Sequence, residues 1–152
     1  MDKLTVDEVP LDLLKLHGQA LFDAHYRELS VDKGRPLSPD WATLAFLDEM
    51  DRLHVIAAFE GDLLVGYAAS IYVPRHLHYD FAYVQNDALF VSKSHRGTSA
   101  GGRLMGAVRT WAKERGAAEV CWHAKEGTEL HRKLDRSRDR YVLRDIFYSE
   151  KV

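Results

Sequence analysis

Apolar positions along the chain change period twice, and those changes divide it into segments. Leu4 and Val6 alternate with polar neighbours, and Pro10 then opens a stretch in which Leu11, Leu14, Gly18, Leu21 and His25 recur near one helical face to about Glu28. Proline is tolerated there because the N–H it lacks has no partner in a first helical turn. Residues 30–36 form a polar connector. Ser38-Pro39-Asp40 then reads as an N-cap, a first-turn proline and a first-turn acid for a helix carrying Trp41, Leu44, Ala45 and Leu47 inward and ending before His54. The middle of the chain switches to strand patterning: His54 to Glu60, Leu63 to Val73 and Phe81 to Val91 are rich in branched and aromatic residues. Glu60-Gly61-Asp62 punctuates the first junction as a hairpin, and short links between three such runs predict an antiparallel meander.

Beyond Val91 the helical period returns. Leu104, Val108, Trp111 and Ala112 fall on one face of a helix that Gly116 stops. Ala117 to Trp122 is a short strand. Because it returns after a helix, it is expected parallel to the strand ending at Val91. A weaker helix spans Glu126 to Leu134, a charged stretch reaches Arg140, and Tyr141 to Tyr148 reads as a final strand at or near a sheet edge. The prediction is one α/β (α+β) domain over residues 1–152, with a mixed, mostly antiparallel central sheet flanked by helices. No internal repeat or domain boundary interrupts it.

Composition narrows the chemistry. The chain has 152 residues, enough for one core. Its 21 Lys and Arg against 23 Asp and Glu give a formal charge of −2, which argues against a dedicated nucleic-acid binder. One cysteine, Cys121, excludes an internal disulfide and a Cys-rich zinc site, and fits a reducing, cytoplasmic setting. Its apolar strand suggests an inert thiol. No apolar run approaches the roughly 18 residues of a membrane span, and the first residues carry no signal pattern.

The most informative stretch joins strand to helix at residues 85–105. Its loop holds Gly97, Gly101 and Gly102 with Thr98, Ser99 and Ala100 between them. Small residues admit a ligand close to the backbone, and a helix N-terminus offers unpaired N–H groups and partial positive charge, so the loop suits a phosphate. Arg96 would add a fixed charge at its mouth. The alternative is an ordinary glycine-rich turn. The sequence is neither a Walker loop nor a clean dinucleotide fingerprint.

The loop Arg96-Gly97-Thr98-Ser99-Ala100-Gly101, the strand Leu89-Phe90-Val91 five residues before Arg96, and the order of elements together resemble the GCN5-related N-acetyltransferase family over essentially the whole chain. In that family the loop reads Arg/Gln-x-x-Gly-x-Gly/Ala, and Ser99 stands here where the first of those glycines is usual. The resemblance implies an enzyme that moves an acetyl group from acetyl-CoA to a primary amine of a small molecule or protein. The pyrophosphate would lie on the N–H groups from Gly97 to Gly102, and the pantetheine arm would pair with Leu89, Phe90 and Val91. A bulge would splay this strand from the next, and an N–H near Leu89 or Phe90 would stabilise the oxyanion.

Proton carriers are read from position. Asp87 is the candidate base, on the same side as Leu89 if the strand is regular and opposite Asn86. His78 and Asp80 are alternatives acting through water. Members of the family often carry a tyrosine donor in the helix before the last strand. His131 stands at that place here, and Tyr141 is near in sequence. A metal bound by His76 and His78 is weighed against a polar aromatic loop at a substrate mouth, and no metal is expected. The arginines between His131 and Arg144 read as a solvated connector rather than an RNA surface. Asp32, Asp40, Asp48, Glu49 and Asp51 would suit a cationic acceptor, but the wet face of a helix is preferred. The last strand invites a homodimer through its edge. The rival reading is a non-catalytic acyl-CoA-binding sensor or interaction module.

Overall fold

The computed structural model describes residues 3–30 and 34–152. Val31 to Lys33, within the expected connector, lie outside the described residues, and Asp32 with them. Five strands form one sheet in the order β1 (Leu4–Glu8), β2 (Leu53–Glu60), β3 (Leu63–Val73), β4 (Tyr83–Val91) and β5 (Glu119–Trp122). The first three pairings are antiparallel and β4–β5 is parallel, as the intervening helix requires. The helices are α1 (Leu11–His17), α2 (Gln19–Leu29), α3 (Trp41–Glu49), α4 (Ala100–Glu114) and α5 (Glu129–Arg136). A single-turn helix at Lys93–His95 precedes α4. Among the described residues no helix is long and apolar enough to cross a membrane.

The sheet separates two cores. On one face Ile56, Ala58, Val65, Ala68 and Val84 pack against Leu104, Val108 and Ala112 of α4. On the other, Val55, Tyr67 and Phe90 pack against Leu11, Leu14, Leu21 and Phe22 of α1 and α2. The period-2 strand pattern feeds both, because alternate side chains face opposite layers.

Several expected boundaries shift for local reasons. The first helical stretch is broken at Gly18, which caps α1 through its N–H to Leu14 O at 2.8 Å. A Cβ there would fall 2.4 Å from that carbonyl and 2.5 Å from the Phe22 ring, so the close turn between the helices admits only glycine. The cap of α3 is Asp40 rather than Ser38: its carboxylate accepts the Thr43 N–H at 3.0 Å, and Pro39 precedes the helix. Trp41, Leu44 and Leu47 pack on the core, whereas Ala45 is exposed.

The expected final strand is not formed. Residues 141–148 have no strand pairing, and Val142, Leu143, Ile146, Phe147 and Tyr148 are all largely exposed. Alternation gave this segment a strand pattern, but a strand needs a ladder partner. Here the segment meets the sheet through Arg144, which pairs with Glu119 of β5 at 3.0 Å. β5 itself is therefore the sheet edge on this side, with β1 at the other.

Candidate active site

The site grows from an irregularity in β4. Ala88 lies opposite Ala69, but Asn86 lies opposite Ser70, so Asp87 is an extra residue bulged from the ladder. Asn86 holds the bulge in place. Its buried amide donates to Ser70 Oγ at 3.1 Å, to Ala88 O at 3.0 Å and to Ala69 O at 3.3 Å. The extra residue resets the alternation. Val84 packs on the α4 side of the sheet, Ala88 and Phe90 on the α1–α2 side, and Leu89 again on the α4 side. The regular-strand expectation that Asp87 shares a side with Leu89 is thus corrected: Asp87 lines a pocket with Ala88 on the α1–α2 side.

At the same point β4 and β5 part. Their pairing ends at Asn86 and Trp122, and the next residue, His123, turns its Nδ1–H onto Asn86 O at 3.0 Å. The carbonyl can only accept, which fixes the proton on Nδ1. Beyond it the outer edge of β4 is open. Ser92 N–H donates to Val65 O at 2.8 Å, and the register pairs Phe90 with Tyr67. Alternation in an antiparallel ladder then turns Phe90 toward β3, and the N–H groups of Leu89 and Val91 toward the opening. Of the three residues expected to face the opening, Leu89 and Val91 do so by their backbone, while Phe90 is spent in the ladder.

The opening leads to the loop before α4. Gly97 adopts φ +83°, a conformation that favours glycine. Thr98 Oγ1 donates to His95 O at 2.6 Å and accepts the Ala100 N–H at 3.2 Å. Ser99 caps the helix with its carbonyl, which receives the Arg103 N–H at 2.9 Å. Ahead of that bond, the first-turn N–H groups of Gly101 and Gly102 lack carbonyl acceptors, as in any helix start. A Cβ at Gly101 would meet only a Val91 methyl at 3.9 Å, and one at Gly102 would meet nothing. Packing does not require either glycine. What they provide is a bare backbone surface at the positive end of α4.

Arg96 is not directed to that surface. Its guanidinium forks onto both carboxylate oxygens of Glu28, with Nη2–Oε2 at 2.7 Å, and its Nε donates to Val91 O at 3.0 Å. The same group lies 5.3 Å from the centre of the Phe90 ring. The pair holds Glu28 below the usual carboxylate range and ties α2 to the loop.

On the other side of the bulge lies a pocket of about 300 Å³ between the sheet and α1, α2 and α3. Its walls are apolar, with Leu14, Phe22, Trp41 and Val55 prominent, and its polar groups include His25, Tyr67, Asp87 and Lys125. His25 Nδ1 and the Tyr67 hydroxyl share a hydrogen bond at 2.6 Å, and the His25 ring stacks on Phe90 at 4.7 Å. Burial, then the nearby Lys125 charge, pulls the His25 pKa down to about 4, so the ring is neutral at pH 7. Burial and the Asp87 charge raise the Tyr67 phenol above its ordinary value. His25 drew notice in the sequence only as part of a helical face, and Tyr67 only as a strand residue. Their pairing depends on a separation of 42 residues that periodicity does not span.

The other candidates lie elsewhere. His131 and Tyr141 do not line this pocket. His131 Nδ1 accepts the Gly127 N–H at 2.9 Å and so fastens the turn before α5, and the Tyr141 N–H donates to Ser137 O at 2.9 Å. His78 lines a separate, broader cleft of about 750 Å³ beside β5, together with His76, Tyr83 and Cys121, and Asp80 is paired with Arg75. Within that loop the His78 N–H donates to His76 Nδ1 at 3.1 Å, and His76 stacks on Phe81. Among the described residues there is no group of three or more His, Cys, Asp or Glu able to hold a metal. Burial raises the Cys121 thiol. Asp40, Asp48, Glu49 and Asp51 are exposed and absent from the pocket walls, and Asp51 is bonded to Arg115 at 2.5 Å.

A family model for the acetyltransferase (GNAT) family matches residues 19–134. Among curated proteins, none matches the chain significantly by sequence. Solved structures similar in fold include the aminoglycoside acetyltransferase HMB0005 from an uncultured soil metagenomic sample, with TM-score 0.74, 19% identity, and coverage of 99% of this chain and 98% of that one. AAC(6')-Iy, in complex with the bisubstrate analog CoA-S-monomethyl-acetylneamine, gives TM-score 0.72 at 19% identity, covering 99% of each chain. Ribosomal-protein-alanine N-acetyltransferase from Brucella melitensis biovar Abortus 2308 gives 0.72 at 21%, covering 99% of this chain and 96% of that one. The family match spans most of the chain and takes in the split strands, the bare-glycine helix start and the bulge between them: the chain belongs to the acetyltransferase (GNAT) family.

Proposed function

We propose that the protein transfers the acetyl group of acetyl-CoA to a primary amine bound in the 300 Å³ pocket. The observation that carries this reading is the bulge at Asp87. It joins an open strand edge, leading to the glycine surface of α4, to a pocket on the opposite side of the sheet. Residues fit the co-substrate at both ends: Gly101 and Gly102 leave room for a pyrophosphate on backbone N–H groups, and Leu89 and Val91 offer N–H groups to an extended pantetheine arm. Acetyl-CoA supplies an activated acyl group. The chain positions an amine against it, keeps bulk water from the apolar pocket, and gives the ammonium a carboxylate, Asp87, to receive its proton.

His131 and Tyr141, away from the pocket, are weak donors for the leaving thiolate. This favours a second reading, a module that binds acyl-CoA without turning it over. One experiment separates the two. Acetyl-CoA should raise the melting temperature, because a ligand bound only by the native state shifts folding by mass action. Thiol release should then follow on adding amines. A shift without thiol release for any amine selects the sensor. No shift dismisses both readings.

We also propose a homodimer through the C-terminal segment. The apolar side chains of residues 142–148 are exposed beside the open edge of β5, and both features favour burial against another copy.

A further inference from the structure

The neighbouring aminoglycoside enzymes suggest a polycationic acceptor, but the pocket of this chain has a different character. Among the described residues Asp87 is the one carboxylate on its wall, and the wall also carries a cation, Lys125. Among the described residues neither charge belongs to an ion pair. They flank the neutral pair of His25 and Tyr67: Lys125 acts on His25, Asp87 acts on Tyr67, and the two rings are bonded at 2.6 Å. The rest of the wall is mostly apolar and includes Phe22 and Trp41, whose ring centres lie 5.8 Å apart. Its volume is at the lower end of the roughly 300–1,000 Å³ of small-molecule sites. A polycation would leave most of its charges facing hydrocarbon and one facing Lys125.

We infer that the acceptor is a small α-amino acid with an aromatic or branched apolar side chain: its amine meets Asp87, its carboxylate meets Lys125, and its side chain fills the Phe22–Trp41 end. This rests on the transferase reading of the same site. In the step, the ammonium gives one proton to the Asp87 carboxylate. The nitrogen lone pair forms the amide bond to the acetyl carbon as the carbon–sulfur bond breaks. CoA leaves as thiolate and takes up the second proton, which the acylated nitrogen sheds as the amide forms; Asp87 passes the first to solvent, and the amino acid carboxylate is unchanged. A site built around a charged group discriminates strongly against an analogue lacking it, since the site's own charge is then left unpaired.

The experiment measures kcat/KM by thiol release for L-phenylalanine, L-leucine, phenethylamine and neamine, with acetyl-CoA binding followed separately by calorimetry. L-Phenylalanine is expected to exceed phenethylamine by roughly tenfold to a hundredfold, the range of one charge-assisted hydrogen bond. Lys125→Met should cut that ratio at least tenfold through KM, and Lys125→Arg should restore it. Preference for phenethylamine or neamine, or an unchanged ratio in Lys125→Met, would overturn the amino acid assignment while acetyl-CoA binding and thiol release stand. Loss of acetyl-CoA binding in the wild-type protein would instead remove the reading of the site on which the assignment rests.

Discussion

Asp87 and Asn86 are neighbours with opposite duties, and each can be tested alone. Asp87 is exposed at the pocket mouth, so Asp87→Asn should fold normally and lose roughly 10²–10⁴ in turnover, the span of a general acid–base group. The loss should be greatest at low pH, where free amine is scarce. Full activity across the pH range would place the base elsewhere. His131→Ala should lower turnover less than about tenfold, since the ring is engaged with the Gly127 N–H. A thousandfold loss with acetyl-CoA affinity unchanged would make it the acid. Acid stability is a second residue-scale property. His54, buried and stacked on Trp111 at 4.6 Å, has its pKa lowered by burial to about 4, as does His25. The unfolded chain takes up these protons near pH 6.5 and the folded chain only near pH 4. Acid therefore favours unfolding, and stability should fall as pH drops through that window. His54→Phe keeps the stacking and should flatten the fall, by about 3 kcal/mol at most, in urea titrations at pH 7 and pH 4. A slope equal to that of the wild type would exclude His54 as the cause.

Elements make the site by where they stop pairing. β4 pairs with β5 only as far as Asn86, and the Asn86 amide holds the bulge that parts them. Asn86→Ala removes three donated bonds and leaves Ala88 O and Ser70 Oγ short of a partner. A destabilisation of about 1–3 kcal/mol is expected in chemical denaturation, with turnover falling as the bulge relaxes. Unchanged stability would mean that strand pairing alone sets the bulge. At the start of α4, Gly101→Val has room for its Cβ and should leave the fold intact while abolishing the melting shift with acetyl-CoA. A shift of wild-type size in that variant would sink the proposed phosphate surface.

Among the described residues the sheet has two open edges, β1 and β5, and beside β5 runs an apolar segment without a ladder, residues 141–148. Light scattering at micromolar concentration is expected to give twice the 17.4 kDa chain mass. Phe147→Lys should shift it toward the single chain, since burying a lysine in place of a phenylalanine costs both area and a charge. A wild-type mass near 17 kDa would count against the dimer.

The sequence alone determined the meander, the parallel return after α4 and the glycine surface, because each is written in local periodicity or in residues adjacent along the chain. Tertiary structure decided the rest. Whether Tyr141 to Tyr148 becomes a strand depends on a partner edge that alternation does not encode. Which face Asp87 occupies depended on one extra residue in β4, and a shift of one residue turns a side chain to the opposite side of a sheet. Arg96 looked like a phosphate ligand from its place in the loop, but Glu28, 68 residues earlier, holds its guanidinium. The pocket joins His25, Tyr67, Asp87 and Lys125 from four separate segments, so its charge pattern exists only after the chain has folded.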